Sequence, residues 1–170
     1  MHPGQYIQPG SLKPDVVQRS LEELRAAACI LDQIGSPDSV LVLHMGGKHE
    51  DKPATAARFA DTMRPEEGIL EYLALENDER IWTVEDIVEA GNSLDIPAIA
   101  DTLHHDLNPG GLALEEAFDL SLPTWEARGA RPKLHLSSQN PEKQAGATPT
   151  RWTSRTGRRS WKPWGPGRPT

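Results

Sequence analysis

The sequence predicts an α/β protein with a parallel sheet, and two observations support this fold class. Short runs rich in Val, Ile and Leu are bounded by Gly, Pro or polar residues, as buried strands are. Segments with apolar residues three and four apart, typical of amphipathic helices, lie between these runs. Strands that alternate with helices indicate βαβ units, in which consecutive strands are parallel. The length of 170 residues suits one ordinary domain.

The predicted helices and strands follow one another from residue 14 onward. The sequence predicts helices at 14–33, 52–63, 83–94 and 112–118. It predicts buried strands at 40–43, 69–75, 96–100 and 132–136. The first helix places apolar residues on one face, with Cys29 among them, and Gly35 follows as its C-cap. The third helix begins with Thr83 and Asp86, which have the spacing of a capping box.

Charge divides the chain into two unlike parts. Residues 1–142 contain 25 acidic and 11 basic residues, a balance of −14, whereas residues 143–170 contain 7 basic and no acidic residues. Leu, Ile, Val and Ala are absent from 148–170, so this end cannot bury a periodic apolar face. We therefore expect a folded domain over 1–142 and a disordered basic tail over 143–170. Nucleic-acid binding by the tail is an alternative to its being an unrelated C-terminus.

Several classes of protein are excluded or disfavoured by composition. The mean hydropathy is −0.57, and no run approaches the roughly 20 apolar residues of a membrane span. A single cysteine cannot form an internal disulfide, which favours a cytoplasmic, intracellular location. No glycine-rich phosphate loop is present, so we expect no nucleotide cofactor. His49 and His105 are expected to be solvated loop residues, and Trp82 and Trp125 to be packing residues.

Residues that bind metals stand where the predicted strands end. They are His44, Glu76, Asp101 and His104 after the first three strands, Lys133 and His135 in the fourth, and His2 near the start of the chain. Because parallel strands place their carboxyl ends at one edge, these side chains are expected to converge. Imidazoles mixed with carboxylates suit Zn²⁺, Mn²⁺ or Fe²⁺, and a carboxylate between histidines can bridge two ions. Each residue alone has an ordinary structural explanation, but the repeated arrangement predicts a metal site.

Short motifs that carry these residues run in a fixed order along the chain. They are His2–Tyr6, Leu43–Gly47, Asp51–Lys52, Leu75–Asp78, Asp101–His105, Thr124–Trp125 and Pro132–Ser138. In this ordered set the chain closely resembles the UV damage endonucleases, which are repair enzymes of the endonuclease IV-like, xylose-isomerase-like barrel group.

The resemblance implies a TIM barrel that nicks damaged double-stranded DNA on the 5′ side of ultraviolet photoproducts. It implies divalent metal ions, typically Mn²⁺, with Zn²⁺ or Mg²⁺ as alternatives. The implied metal ligands are His2, His44, Glu76, Asp101, His104 and His135. Glu76 and Lys133 are implied to be catalytic, and the lysine matches one that is modified in some members. Gln5 and Tyr6 match residues that wedge into the DNA duplex at the lesion.

The chain also departs from the family pattern. The first strands of the barrel and its last strand, which ends in a glutamate ligand, have no counterpart here. About five strands are present where closure needs eight, so we expect a partial TIM (β/α)8 barrel of about strands 3 to 7. We therefore interpret the sequence as a fragment whose own activity is in question. The alternatives are a non-enzymatic remnant that binds metal or nucleic acid weakly, and a sugar isomerase or epimerase on the same fold.

Overall fold

The computed structural model describes residues 1–4 and 6–137. Its helices are α1 (Pro14–Ile34), α2 (Lys52–Met63), α3 (Glu67–Leu70), α4 (Val84–Asn92), α5 (Thr102–Leu107) and α6 (Leu114–Ser121), followed by a short 3₁₀ helix (Leu122–Trp125). Its strands are β1 (Leu41–His44), β2 (Leu73–Glu76) and β3 (Ala98–Ile99). The predicted basic tail and its boundary at residue 143 lie outside the described residues.

The three strands form a parallel sheet in the order β1-β2-β3. Residues of one strand point alternately to opposite faces, so the sheet has two distinct sides. One side, with Leu41, Leu73 and Ala98, packs into the main core beneath the helices. The other side carries Val40, Val42, Ala74 and Ile99, which pack with Trp125. The parallel α/β prediction is therefore confirmed.

The start of the chain lies against the open edge of β1. The terminal amine of Met1 donates to the carbonyl of Val40 at 2.7 Å, and the amide of Val42 donates to the carbonyl of Met1 at 2.9 Å. These bonds continue the parallel pairing by one residue. They bring His2 to the edge of the sheet at which the predicted site residues end their strands.

The helices begin and end for local reasons that the sequence shows. Thr83 and Asp86 form the predicted capping box at the start of α4, and Asp51 caps α2 by accepting from the amide of Ala54 at 2.7 Å. The amide of Gly35 donates to the carbonyl of Leu31 and closes α1. Among the described residues, no helix is both long and apolar enough to cross a membrane.

Three of the predicted strands are wrong in extent, and the run 96–100 shortens to Ala98–Ile99. The run 69–75 divides into α3 and β2, because backbone bonds from Ile69 and Leu70 to the carbonyl of Glu66 start a helical turn. The run 132–136 reduces to one bridge between Asp101 and His135. Pro132 has no amide hydrogen to donate, and the described part of the chain supplies a partner on only one side of this run.

Three predictions about burial are wrong and one is confirmed. Cys29 is exposed, because it follows Ala28 by about 100° around α1 and faces away from the core. His105 lies buried on α5 rather than in a solvated loop. His49 is half-buried. Trp82 and Trp125 are packing residues as expected, and each is almost completely buried.

Candidate metal centre

The carboxyl ends of the strands assemble the cluster, as the strand-end pattern predicts. His44 and Glu76 are paired in register at the ends of β1 and β2. Past the end of β3, Asp101 caps α5, which carries His104. The bridge between Asp101 and His135 brings that histidine to the same edge.

These residues line a cavity of about 500 Å³. Its lining consists of His2, His44, Glu76, Asp101, His104, Leu134, His135, Leu136 and Ser137. It holds two groups of possible metal ligands, one of His2, Glu76 and His135, the other of His44, Glu76 and His104. Within each group the ligand atoms lie within 4.8 Å of one another. Glu76 belongs to both groups, so its two oxygens face different histidines.

Glu76 is the centre of the cluster, and only 2% of its surface is exposed. Its Oε1 lies 2.6 Å from Nδ1 of His135. Its Oε2 lies 3.4 Å from Nε2 of His44, without the geometry of a hydrogen bond, and is buried without a donor. A buried carboxylate oxygen without a donor is costly unless a cation or proton satisfies it.

The ring of His44 is oriented so that it can bind a metal. Its Nδ1 lies 3.3 Å from the backbone carbonyl of Glu76, and because a carbonyl only accepts, Nδ1 must carry the hydrogen. In the neutral ring Nε2 then has a free lone pair that faces Oε2 of Glu76. Two acceptors face each other, and a divalent cation between them would satisfy both. A metal-binding histidine commonly donates its second ring N–H to a carbonyl in this way.

The electrostatics keep Glu76 ionised. Burial alone would raise the pKa of Glu76, but the hydrogen bond with His135 and the positive charge that the neighbouring histidines carry when protonated outweigh it, so the pKa lies below its ordinary value. The same hydrogen bond raises the pKa of His135. The donor set therefore fits a divalent cation, with one shared carboxylate and histidines on either side.

Asp101 borders the cavity, but protein donors already engage its carboxylate. The hydroxyl of Ser137 lies 2.9 Å from Oδ1 and 2.8 Å from Oδ2, and the amide of His104 donates to Oδ1 at 2.9 Å. Asp101 belongs to neither of the two ligand groups found among the described residues. Its assignment as a ligand stays a prediction.

Two other predicted site residues, Lys133 and Tyr6, do not line the cavity. Nζ of Lys133 lies 4.9 Å from the centre of the Trp125 ring and 3.5 Å from the carbonyl of Arg131, and Lys133 does not line the cavity. The geometry gives no support to its catalytic role, which stays a prediction. Tyr6 is 79% exposed, whereas Gln5 lies outside the described residues.

Two supporting residues were missed as individual functional candidates. Asn77 is fully buried, and its side chain bonds the backbone of Asp101, accepting from the amide at 2.8 Å and donating to the carbonyl at 3.4 Å. Oε2 of Glu79 lies 3.5 Å from Nδ1 of His104. A polar residue directly after a strand-end glutamate was the available signal for Asn77. The contact of Glu79 depends on the loop after β2, which periodicity does not describe.

Known proteins resemble this chain in sequence and in structure. The UV-damage endonuclease of Schizosaccharomyces pombe is 35% identical over 149 residues, which covers 81% of this chain and 25% of that protein. The crystal structure of SacUVDE matches with a TM-score of 0.82 and 32% identity, over 90% of this chain and 52% of that one. The chain spans between 23% and 46% of the length of four curated relatives.

A more distant structure shares the fold alone. D-psicose 3-epimerase from Clostridium cellulolyticum H10 matches with a TM-score of 0.60 and 16% identity, over 80% of this chain and 50% of that one. The family described as UV-endonuclease UvdE matches residues 1–153 of the 170. The resemblance drawn from the ordered motifs is thereby confirmed, and the chain belongs to the UV-endonuclease UvdE family.

Proposed function

We propose that this chain carries part of the active site of a metal-dependent endonuclease that nicks double-stranded DNA 5′ of ultraviolet photoproducts. The observation that carries the proposal is the buried Glu76 carboxylate, whose two oxygens each face a histidine. Two relatives of this chain are named UV-damage endonucleases. The carboxylate shared between two groups of ligands suits a pair of ions on one phosphate.

The proposed metal holders are His2, His44, Glu76, His104 and His135, and Mn²⁺ is the ion we favour, with Zn²⁺ or Mg²⁺ as alternatives. A bound divalent cation supplies Lewis acidity toward phosphate oxygens and lowers the pKa of water at the site. The chain's own residues prepare the site. His44 is held by the Glu76 carbonyl, and Glu76 is kept ionised by its histidine neighbours.

DNA recognition is proposed for the exposed start of the chain. Tyr6 projects most of its ring into solvent, which suits stacking on a base at a distorted step. A damaged step is easier to open than intact stacking, and this contributes selectivity. The balance of −14 over residues 1–142 opposes DNA binding, but bound divalent cations reverse the sign of the potential inside the cavity.

The proposed setting of the site is a partial TIM (β/α)8 barrel of about strands 3 to 7. The parallel order β1-β2-β3 and the match to about half of SacUVDE support it. In such barrels the active site lies at the carboxyl ends of the strands, which is where the cluster lies. An intracellular location, as for any enzyme of chromosomal DNA, belongs to the same proposal.

The test is incision of a duplex oligonucleotide that contains one defined photoproduct, in the presence of Mn²⁺. Glu76→Gln removes the shared charge at nearly constant shape, and Glu89→Gln removes an exposed charge on α4 as the matched control. We expect incision just 5′ of the lesion by the wild type and the control, and none by Glu76→Gln. Incision that survives in Glu76→Gln contradicts the proposed role of this carboxylate, and no incision by the folded wild type favours the remnant interpretation.

A further inference from the structure

The ring of His104 has one nitrogen whose partner is nearly in place. Its Nδ1 is buried and makes no hydrogen bond, yet it lies 3.5 Å from Oε2 of Glu79. The side chain of Glu79 is 29% exposed, so its carboxylate is half-shielded from water. Its other contact is Arg80 at 3.5 Å, whose side chain is 76% exposed, and exposed pairs of this kind contribute little. The carboxylate of Glu79 can therefore accept a hydrogen bond from His104.

The loop after β2 is folded so that Glu79 faces α5. Oδ1 of Asp78 accepts from the amides of Arg80, Ile81 and Trp82 at 2.8, 2.6 and 3.2 Å. The amide of Asp78 in turn donates to the carbonyl of Trp82 at 2.9 Å, which closes the turn. At its other side, Nδ2 of Asn108 donates to the carbonyl of Asp78 at 3.1 Å and joins the loop to the end of α5.

We propose that Glu79 is a positioning residue that accepts a hydrogen bond from Nδ1 of His104 and directs Nε2 of that ring to the metal cluster. The inference rests on the proposed metal-binding function. A buried ring N–H requires an acceptor, and a carboxylate behind a metal-binding histidine fixes its tautomer and makes the other nitrogen more basic. To form the bond, the two atoms must approach from 3.5 Å to about 2.7–3.2 Å.

His44 provides the internal parallel for this arrangement. Its Nδ1 donates to the carbonyl of Glu76, which leaves Nε2 for the cluster. His104 is the other histidine of the same ligand group. Its ring packs edge to face against that of His44, with 5.3 Å between the ring centroids. With Glu79 as acceptor, both histidines would present Nε2 to the metal. The ring of His44 would be held by a backbone carbonyl and the ring of His104 by a carboxylate.

The first test measures binding of Mn²⁺ by the full chain, from the free-ion signal in electron paramagnetic resonance. We expect Glu79→Ala to weaken binding about 10- to 100-fold, the range for loss of a group behind a ligand. Glu79→Gln keeps an acceptor without the charge, so the loss of Mn²⁺ affinity should be smaller in this variant. Glu89→Gln removes an equal charge from the exposed face of α4 and should bind like the wild type.

The second test needs no metal. At about pH 8, above the ordinary pKa of a histidine, long-range ¹H–¹⁵N spectra report the tautomer of His104, whose signals are identified by their loss in His104→Ala. We expect the Nδ1–H form in the wild type and a shift to the Nε2–H form in Glu79→Ala. An unchanged tautomer in Glu79→Ala overturns the inference. If the wild type binds no Mn²⁺, the proposed function fails, and the tautomer still decides the role of Glu79.

Discussion

Replacing Asn77 by alanine should destabilise the sheet edge that carries the cluster. The side chain of Asn77 joins the end of β2 to Asp101, just beyond the last paired residues of β2 and β3. It accepts from the backbone amide of Asp101 and donates to the backbone carbonyl of Asp101. Alanine fills neither role. The carbonyl of Asp101 still accepts from the amide of His105 at 3.0 Å, but the buried amide of Asp101 loses its acceptor. Each buried polar group left without a partner costs about 1–3 kcal/mol.

The 2.8 Å bond to the amide of Asp101 should account for most of the effect, and the 3.4 Å bond to the carbonyl for less. We therefore expect Asn77→Ala to lower the free energy of unfolding by about 1–3 kcal/mol. For a domain of this size the unfolding midpoint should fall by about 5–10 °C. Asn77→Asp should also destabilise, because a carboxylate oxygen replaces the amide donor and repels the carbonyl of Asp101.

The measurement is urea unfolding followed by circular dichroism, with Asn92→Ala as the control. Asn92 is an exposed residue at the end of α4, and its replacement should change stability by less than about 0.5 kcal/mol. A loss below about 1 kcal/mol in Asn77→Ala, with the control unchanged, would refute the idea that this amide holds the two strand ends together.

Three further predictions concern the core, the pH dependence and the metal. Trp125→Phe removes the indole N–H that donates to the carbonyl of Ala98 at 2.9 Å, and should cost about 2–3 kcal/mol in urea unfolding; a loss below about 0.5 kcal/mol would contradict the packing role. Burial alone would raise the pKa of Asp86, but its hydrogen bonds to Lys52 and Thr83 outweigh it and hold the pKa below its ordinary value. A carboxyl whose pKa is lowered by folding stabilises the fold fully at pH values above its pKa in the unfolded chain, which is about 3.9 for aspartate. The difference in the free energy of unfolding between wild type and Asp86→Asn should therefore be constant from about pH 7 to 5. It should shrink as the pH falls below about 4, and a difference that grows there would refute the assignment. Mn²⁺ at about 100 times its dissociation constant should raise the free energy of unfolding by about 2.7 kcal/mol, whereas a chelator or Glu76→Gln should abolish the gain; equal stabilisation of Glu76→Gln would place the ion elsewhere.

Sequence periodicity predicted the parts of the fold that repeat. The alternation along β1 and β2 separates Leu41 and Leu73 from Val42 and Ala74, and it places His44 and Glu76 at the same edge. The apolar runs mark these strands in the sequence, and the polar residue that follows each run marks its carboxyl end. The alignment of the two strands with each other depends on tertiary packing, and so the pairing of His44 with Glu76 required the structure.

Periodicity failed where a residue's surroundings, rather than its spacing, decide its position. Cys29 and Ala28 are adjacent and both small. The rotation of about 100° per residue in an α-helix places Ala28 in the core and Cys29 on the exposed face. Lys133 and His135 have the spacing that shares a strand face. Because the segment pairs through a single bridge, only His135 is bound to the edge and Lys133 instead contacts Trp125.

The position of Glu76 explains why the cluster forms around this one carboxylate. It ends the middle strand, so it lies between His44 at the end of β1 and the segment after β3, where α5 carries His104. At position 44, on β1, a carboxylate would be less enclosed, since the side chain of His44 is 39% exposed. The middle position also buries it, so that its unpaired Oε2 is left to a cation rather than to water. Moving the glutamate from position 76 to 44 should therefore destroy binding of Mn²⁺ even though the same residue types remain. Binding retained by the exchanged variant His44→Glu with Glu76→His would show that composition alone is sufficient.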